Sequence, residues 1–209
     1  MAAQKTSRRR RDPDRKERIL VAAAALGAAR GFDAISMADI GAEAGIVGSG
    51  IYRHFDSKTA ILVAMADRVM DRLMTRAAEI VSASRDDRQS LSMLVRDHIL
   101  VALTDHDALA VYHREVRTLP EEERRRLSRA QRHYTEEWVH VLAPLRPDLA
   151  DGEVRLALHA AIGAIQSTLF FHSGLAEDRL TELLEAMAHG CLGIVPSPPA
   201  QVSELALTN

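Results

Sequence analysis

Cys191 is the only thiol in these 209 residues. No disulfide framework can therefore hold the chain together, and a reducing compartment is its natural setting. Aromatic residues are scarce, at 4%, and no run of β-branched residues alternates with polar ones, which removes the signs of a sheet protein. The apolar stretches 19–29 and 157–165 stop short of the ~20 residues a membrane span needs. No apolar run follows the charges of MAAQKTSRRRR as it would in a signal peptide. These absences predict a soluble, cytoplasmic protein without a membrane partner. A phosphate-binding glycine loop, a nucleophile elbow and a Cys–His pair at metal spacing are also missing, so the expectation is no enzyme, no catalytic residues, no metal and no cofactor. Lysine is rare too, three against twenty-four arginines, a bias that hints at a GC-rich genome and carries no function by itself.

What is present begins with a core-sized 47% of hydrophobic residues and an ordinary 27% of charged ones. The net charge of −2 is unevenly spread. Residues 1–18 hold eight basic side chains against Asp12, Asp14 and Glu17, while residues 61–209 hold sixteen basic against twenty-two acidic. A basic arm on an acidic body suits a polyanion-binding tail, with a merely solubilising end as the other reading.

The apolar spacing is helical throughout. Asp12-Pro13 opens a helix carrying Ile19, Leu20, Ala23 and Leu26, and Gly31 ends it. Ser36 to Asp39 matches a capping box at the start of a short helix that stops by Gly45. Ser57 can cap a long helix through Ile80, and Asp86-Asp87 punctuates before the next. Helices of about 107–118, 120–143 (started by Pro120, ended by Pro144 and Pro147), 152–172 and 177–193 follow, making about nine. The expected fold is all-α: a basic arm at 1–11, a three-helix head at 12–60, a helical body at 61–195 and a disordered tail at 196–209.

Two short helices of about 37–44 and 48–55 flank Gly45-Ile46-Val47, a helix-turn-helix arrangement whose second helix enters the DNA major groove. Ile51 and Phe55, four residues apart, can bury against the first long helix, leaving Tyr52, Arg53 and His54 to face phosphates and groove. The small residues Gly48, Ser49 and Gly50 let the helix N-terminus approach DNA.

The pattern Ile19-Leu20-x-Ala22-Ala23-x-x-Leu26, Gly31, Ile40, Ala44-Gly45-Ile46 and Ile51-Tyr52-Arg53-His54-Phe55-Asp56-Ser57-Lys58 resembles the tetracycline-repressor (TetR) family over residues 15–62. The resemblance implies a homodimer joined by its last two helices, binding double-stranded DNA at a near-palindromic operator and released by a small effector. It also implies phosphate contacts by Ser36, Tyr52, His54 and Lys58, and base-reading positions at or near Gly48, Ser49, Gly50 and Arg53. The arm, with Arg9 and Arg10, would reach an adjacent minor groove. Four residues depart from the family pattern: Val47 replaces a capping Ser or Thr, Gly48 and Gly50 offer no side chain to a base, and Gly27 replaces an aromatic.

In the body, the helix around Ala157–Phe171 is apolar nearly all round, as if a second chain covered one face. Ala157, Ala161 and Ala164, with Leu183, Leu184 and Met187 of the last helix, are the candidate dimer interface. Polar residues on otherwise buried helices mark the candidate effector site: His98, Tyr112, His113, Glu115, Trp138, Gln166, Thr168 and His172. The stretch from Tyr112 to Tyr134 resembles family members that sense lipid or steroid degradation through acyl thioesters. Arg124, Arg125, Arg126 and Arg129 suit either an anionic ligand head or a solvated face paired with Glu121–Glu123. A metal-responsive regulator or a helical-bundle metalloenzyme is the alternative, resting on His133, Glu137 and His140 at i, i+4 and i+7, but no second Glu-x-x-His completes it.

Overall fold

Helix caps and apolar stripes divide this chain, and the computed structural model describes residues 13–46, 48–84 and 86–196. Arg9, Arg10, the Asp12 cap, Val47 and residues 197–209 of the tail lie outside them. Eight α-helices and three 3-10 segments make up the described residues, with no strand among them. The helices are α1 (Pro13–Arg30), α2 (Met37–Glu43), α3 (Lys58–Ala83), α4 (Asp87–Thr104), α5 (His106–Glu115), α6 (Glu121–Leu145), α7 (Asp151–Gln166) and α8 (Glu177–Leu192).

The Ser36 and Ser57 caps read from the sequence are made, and Asp86, read only as a break, caps α4 as well. Ser36 Oγ accepts from the Asp39 amide at 3.1 Å while the Asp39 carboxylate accepts from the Ser36 amide at 2.8 Å. Ser57 Oγ accepts from the Ala60 amide, and the Asp86 carboxylate from the Arg88 amide. Four elements differ from the periodicity, the first being the helix expected at about 107–118, which ends at Glu115 and passes into the 3-10 segment Val116–Thr118. Gly48–Arg53 is a six-residue 3-10 helix rather than an α-helix to Phe55, because two glycines and a serine are weak helix formers. α6 runs through Pro144 to Leu145; proline in the last turn removes only one bond, and the Arg146 amide still reaches the Leu142 carbonyl at 3.2 Å. α7 gives way to the 3-10 segment Ser167–Leu169, where Ser167 and Thr168 hydroxyls donate to the carbonyls of Ala164 and Ile165.

The described chain forms two compact units. One holds the residues through Arg68 together with Asp107–Arg124; the other holds Val69–His106 and the residues from Arg125 onward. α3 and α6 each run from one unit into the other. The first unit closes around Ile19, Ala23, Phe32, Ile40, Ile51 and Ile61, all at least 96% buried. Gly27 lies where a Cβ would come within 3.0 Å of both Phe32 and Val111, so these two side chains occupy the space a larger residue at 27 would take. In the second unit α7 packs on α8 and both pack on α4. Among the described residues no helix is long and apolar enough to cross a membrane.

Candidate nucleic-acid interface and buried polar cluster

The turn between α2 and the 3-10 segment is set by Gly45, whose φ of +68° only glycine adopts without strain. The Ile46 amide donates to the Gly41 carbonyl at 2.8 Å and the Gly45 amide to that of Ala42 at 3.1 Å, the paired bonds of a Schellman motif. Gly50 closes the same corner, since a Cβ there would stand 2.8 Å from Ile46 Cγ2. The 3-10 segment then buries Ile51 (1% exposed) and, just beyond it, Phe55, over whose ring Lys16 Nζ sits at 5.7 Å. The opposite side carries Ser49, Tyr52 and Arg53, all exposed, with His54 half-buried beside them. An aromatic hydroxyl, a serine and a guanidinium on one open face offer hydrogen bonds to phosphates and base edges.

Two of the residues assigned to phosphates are engaged inside the protein. The Ser36 hydroxyl donates to Asp39 Oδ2 at 2.6 Å while accepting from the Asp39 amide, and that side-chain bond holds the Asp39 carboxyl below its ordinary range. Lys58 Nζ donates to three carbonyls, those of Phe32 at 2.9 Å, Asp33 at 3.0 Å and Ile35 at 2.8 Å. An ammonium has three protons, so Lys58 as it stands has none left for a phosphate.

Of the candidate effector residues, the structure joins His98 and Trp138, together with Tyr134, which the sequence reading did not single out as a site residue. His98 Nδ1 lies 2.9 Å from the Tyr134 hydroxyl, with the rings stacked at 5.8 Å, and Trp138 meets the His98 ring edge-on at 6.0 Å. All three are at least 96% buried. Burial lowers the His98 imidazole to about 4 and raises the Tyr134 phenol. The buried Trp138 Nε1 makes no hydrogen bond of normal geometry. Tyr134 and Trp138 stand four apart on α6, the one signal in the sequence that pairs them.

The remaining candidates are not part of this cluster. Tyr112 and His113, edge-on at 5.8 Å, and Glu115 belong to the other compact unit; burial raises the Tyr112 phenol and lowers the His113 imidazole. The Thr168 carbonyl lies 3.3 Å from His106 Nε2, Gln166 is half-buried, and His172 is exposed. His189, also missed by the sequence reading, is 3% exposed, with burial pulling its imidazole down. His133, Glu137 and His140 line an open groove of about 600 Å³ with Val81, Glu136 and Val139. Among the described residues no group of three or more His, Cys, Asp or Glu side chains is placed to hold a metal ion.

The apolar surface of α7 is divided. Val154, Leu158, Ala161 and Ile165 form one stripe buried within the chain, and Leu184 of α8 is buried too. Ala161 and Leu184 are thus already covered by their own chain. Ala157, Ala164 and Leu183 are half-exposed, and Leu156 (71%), Phe171 (72%) and Met187 (50%) are open to solvent.

Comparison with known proteins agrees with this architecture. Residues 19–65 match the family "Bacterial regulatory proteins, tetR family", and residues 84–169 match "Tetracyclin repressor-like, C-terminal domain". The HTH-type transcriptional repressor KstR2 of Rhodococcus jostii (strain RHA1) is 35% identical over 129 residues, 61% of this chain and 63% of its own. The chain therefore aligns with less than two thirds of that curated relative's length. The solved KstR2 of Mycobacterium tuberculosis, a ketosteroid transcriptional regulator, superposes with a TM-score of 0.72 at 23% identity over 89% of this chain and 97% of its own. AibR, solved in complex with isovaleryl coenzyme A and operator DNA, gives 0.70 at 19% identity over 83% of this chain and 97% of its own. At such identities these two likenesses concern the fold alone. With both family regions matched in order on one all-helical chain, the protein belongs to the TetR family of bacterial regulatory proteins.

Proposed function

We propose that this chain is a cytoplasmic transcriptional repressor that binds a near-palindromic operator as a homodimer and leaves it when a small amphipathic effector binds. The observation that carries the reading is the exposed face of Ser49, Tyr52 and Arg53, held outward by the buried Ile51 and Phe55 behind a Schellman-closed turn. Two such faces related by a two-fold axis suit half-sites about 34–36 Å apart.

The open apolar residues of α7 and α8, Leu156 and Met187, flanked by the small Ala157 and Ala164, support a second copy as the partner of that face. The exposed Phe171, just past α7, extends it. For the effector, His98, Tyr134 and Trp138 supply the few polar atoms in an apolar interior that orient a small ligand. An acyl thioester is the class we favour, and the coenzyme A ester bound by AibR supplies a probe. Displacement of α3, the helix that begins directly after the helix-turn-helix, is the step by which effector binding would release the operator. The effector acts only through its different affinity for the two states, and a coupling of about 1–3 kcal/mol gives roughly 5–150-fold release.

The test is fluorescence anisotropy against duplexes tiled across the DNA flanking the protein's own gene, with scrambled duplex as control, repeated with isovaleryl coenzyme A, a long-chain acyl coenzyme A and free coenzyme A. Saturable binding to one tile, reversed by an acyl ester and not by free coenzyme A, is the expected result. Equal, salt-labile binding to every tile would replace this reading with non-specific association.

A further inference from the structure

We infer that Lys58 is a positioning residue for operator recognition, a clamp on the α1–α2 turn in place of a phosphate contact. The inference rests on the DNA-binding reading above. Lys58 is the first residue of α3, directly after the Ser57 cap. Its side chain is half-buried, and its Nζ reaches the carbonyls of Phe32, Asp33 and Ile35 at 2.9, 3.0 and 2.8 Å while lying 5.5 Å from the centre of the Phe32 ring. These carbonyls belong to the turn that ends one residue before the Ser36 cap of α2. Phe32 and Ile35 are at least 96% buried, so their carbonyls lie in a turn with little access to water and need a donor from the protein. One ammonium thus fixes the start of α3 to the turn that aims α2, and α2 leads through Gly45 into the segment carrying Tyr52 and Arg53.

The residue type agrees with the geometry. Twenty-four of the chain's twenty-seven cationic Lys and Arg side chains are arginine, yet position 58 is lysine. A phosphate is served at least as well by a guanidinium, whose planar fork binds two oxygens at once. Three carbonyls converging on one point need donors spread tetrahedrally, which an ammonium has and a planar guanidinium lacks.

The two roles give opposite results for Lys58→Arg. As a clamp, Lys58→Arg and Lys58→Met both weaken the operator complex by at least about tenfold, the loss a single misread base pair brings. Affinity for scrambled duplex then stays within about twofold and the salt slope is unchanged, because no phosphate contact is lost. As a phosphate contact, Lys58→Arg keeps operator affinity within about twofold, while Lys58→Met weakens both duplexes alike and lowers the salt slope by about one per protomer; that pattern overturns the inference. A second arm needs no variant. Only Lys5, Lys16 and Lys58 carry side-chain ammonium groups, so nitrogen-15 spectra of the wild-type protein resolve them. A protected Lys58 ammonium signal in the free protein, unmoved by saturating operator, supports the clamp. A signal that is lost to exchange in the free protein, or that shifts when operator is added, rejects it. Wild-type protein that binds no duplex would defeat the DNA-binding reading instead, a result separate from either outcome at Lys58.

Discussion

Arg53 and His98 are the two side chains whose surroundings most limit what they can do. Arg53 ends the 3-10 segment, exposed, next to two glycines that offer no side chain to a base. Direct readout by that segment then falls mainly on Arg53 and Ser49, and guanidinium-to-guanine pairing is the commonest specific contact in a major groove. Arg53→Ala is expected to cost about 1–3 kcal/mol on the operator and to flatten discrimination at one base position per half-site, read by anisotropy on a set of singly substituted operators. A uniform loss across all duplexes would move Arg53 to the phosphate backbone. His98 is 96% buried, and that burial lowers its imidazole from 6.5 to about 4. Between those values the unfolded chain binds the proton and the folded one does not, so the contribution is complete above about 6.5 and is lost as pH falls toward 4. The size is on the order of 3 kcal/mol. Melting temperature followed from pH 7 to 4 should fall through this window, and less steeply in His98→Gln. His113 and His189, also lowered by burial, leave a residual slope of the same sign. Identical slopes in the two proteins would mean that His98 is not held neutral.

At the scale of elements, the α2 turn gives a clean expectation. Gly45 sits at φ +68° with nothing within 4 Å of where a Cβ would stand. Gly45→Ala therefore meets no neighbour and carries only the left-handed backbone penalty, about 1–2 kcal/mol. Gly45→Asn should cost less, since asparagine tolerates that conformation. Thermal melts rank the three, and an alanine variant as stable as the parent would mean the Schellman corner is not needed. Such signals were legible in the sequence because they are local. The capping box at Ser36 and Asp39, the Ser57 cap and the glycine turn each depend on residues three to five apart. What could not be read there depends on distant partners. Lys58 looks like a free cation until Phe32, Asp33 and Ile35 arrive beneath it. The grouping of residues 107–124 with the helix-turn-helix, and the pairing of His98 with Tyr134, likewise follow from packing between segments far apart in the chain.

On the scale of the whole molecule, the proposed binding to a near-palindromic operator requires two heads brought together, and the open apolar residues of α7 and α8 are where the proposal puts the second copy. The single chain already covers Ala161 and Leu184, so substitution at either tests folding, whereas Leu156 and Met187 are 71% and 50% exposed and are free to test association. A carboxylate at Met187 remains solvated in an isolated chain, so its effect on chain stability should stay within about 0.5 kcal/mol. Buried against a second apolar face it would be an unpaired charge, costing several kcal/mol. Met187→Glu combined with Leu156→Glu is thus expected to halve the mass measured by sedimentation equilibrium and to leave the helical circular dichroism unchanged. Operator affinity should drop by about 10²–10⁴, the avidity lost when two linked half-site contacts become one. Arg129→Glu, a charge reversal of the same kind on the exposed side of α6, serves as control and should keep both mass and affinity. If the double variant stays dimeric with full affinity, the two copies meet through another surface, and the open residues of α7 and α8 need a different partner.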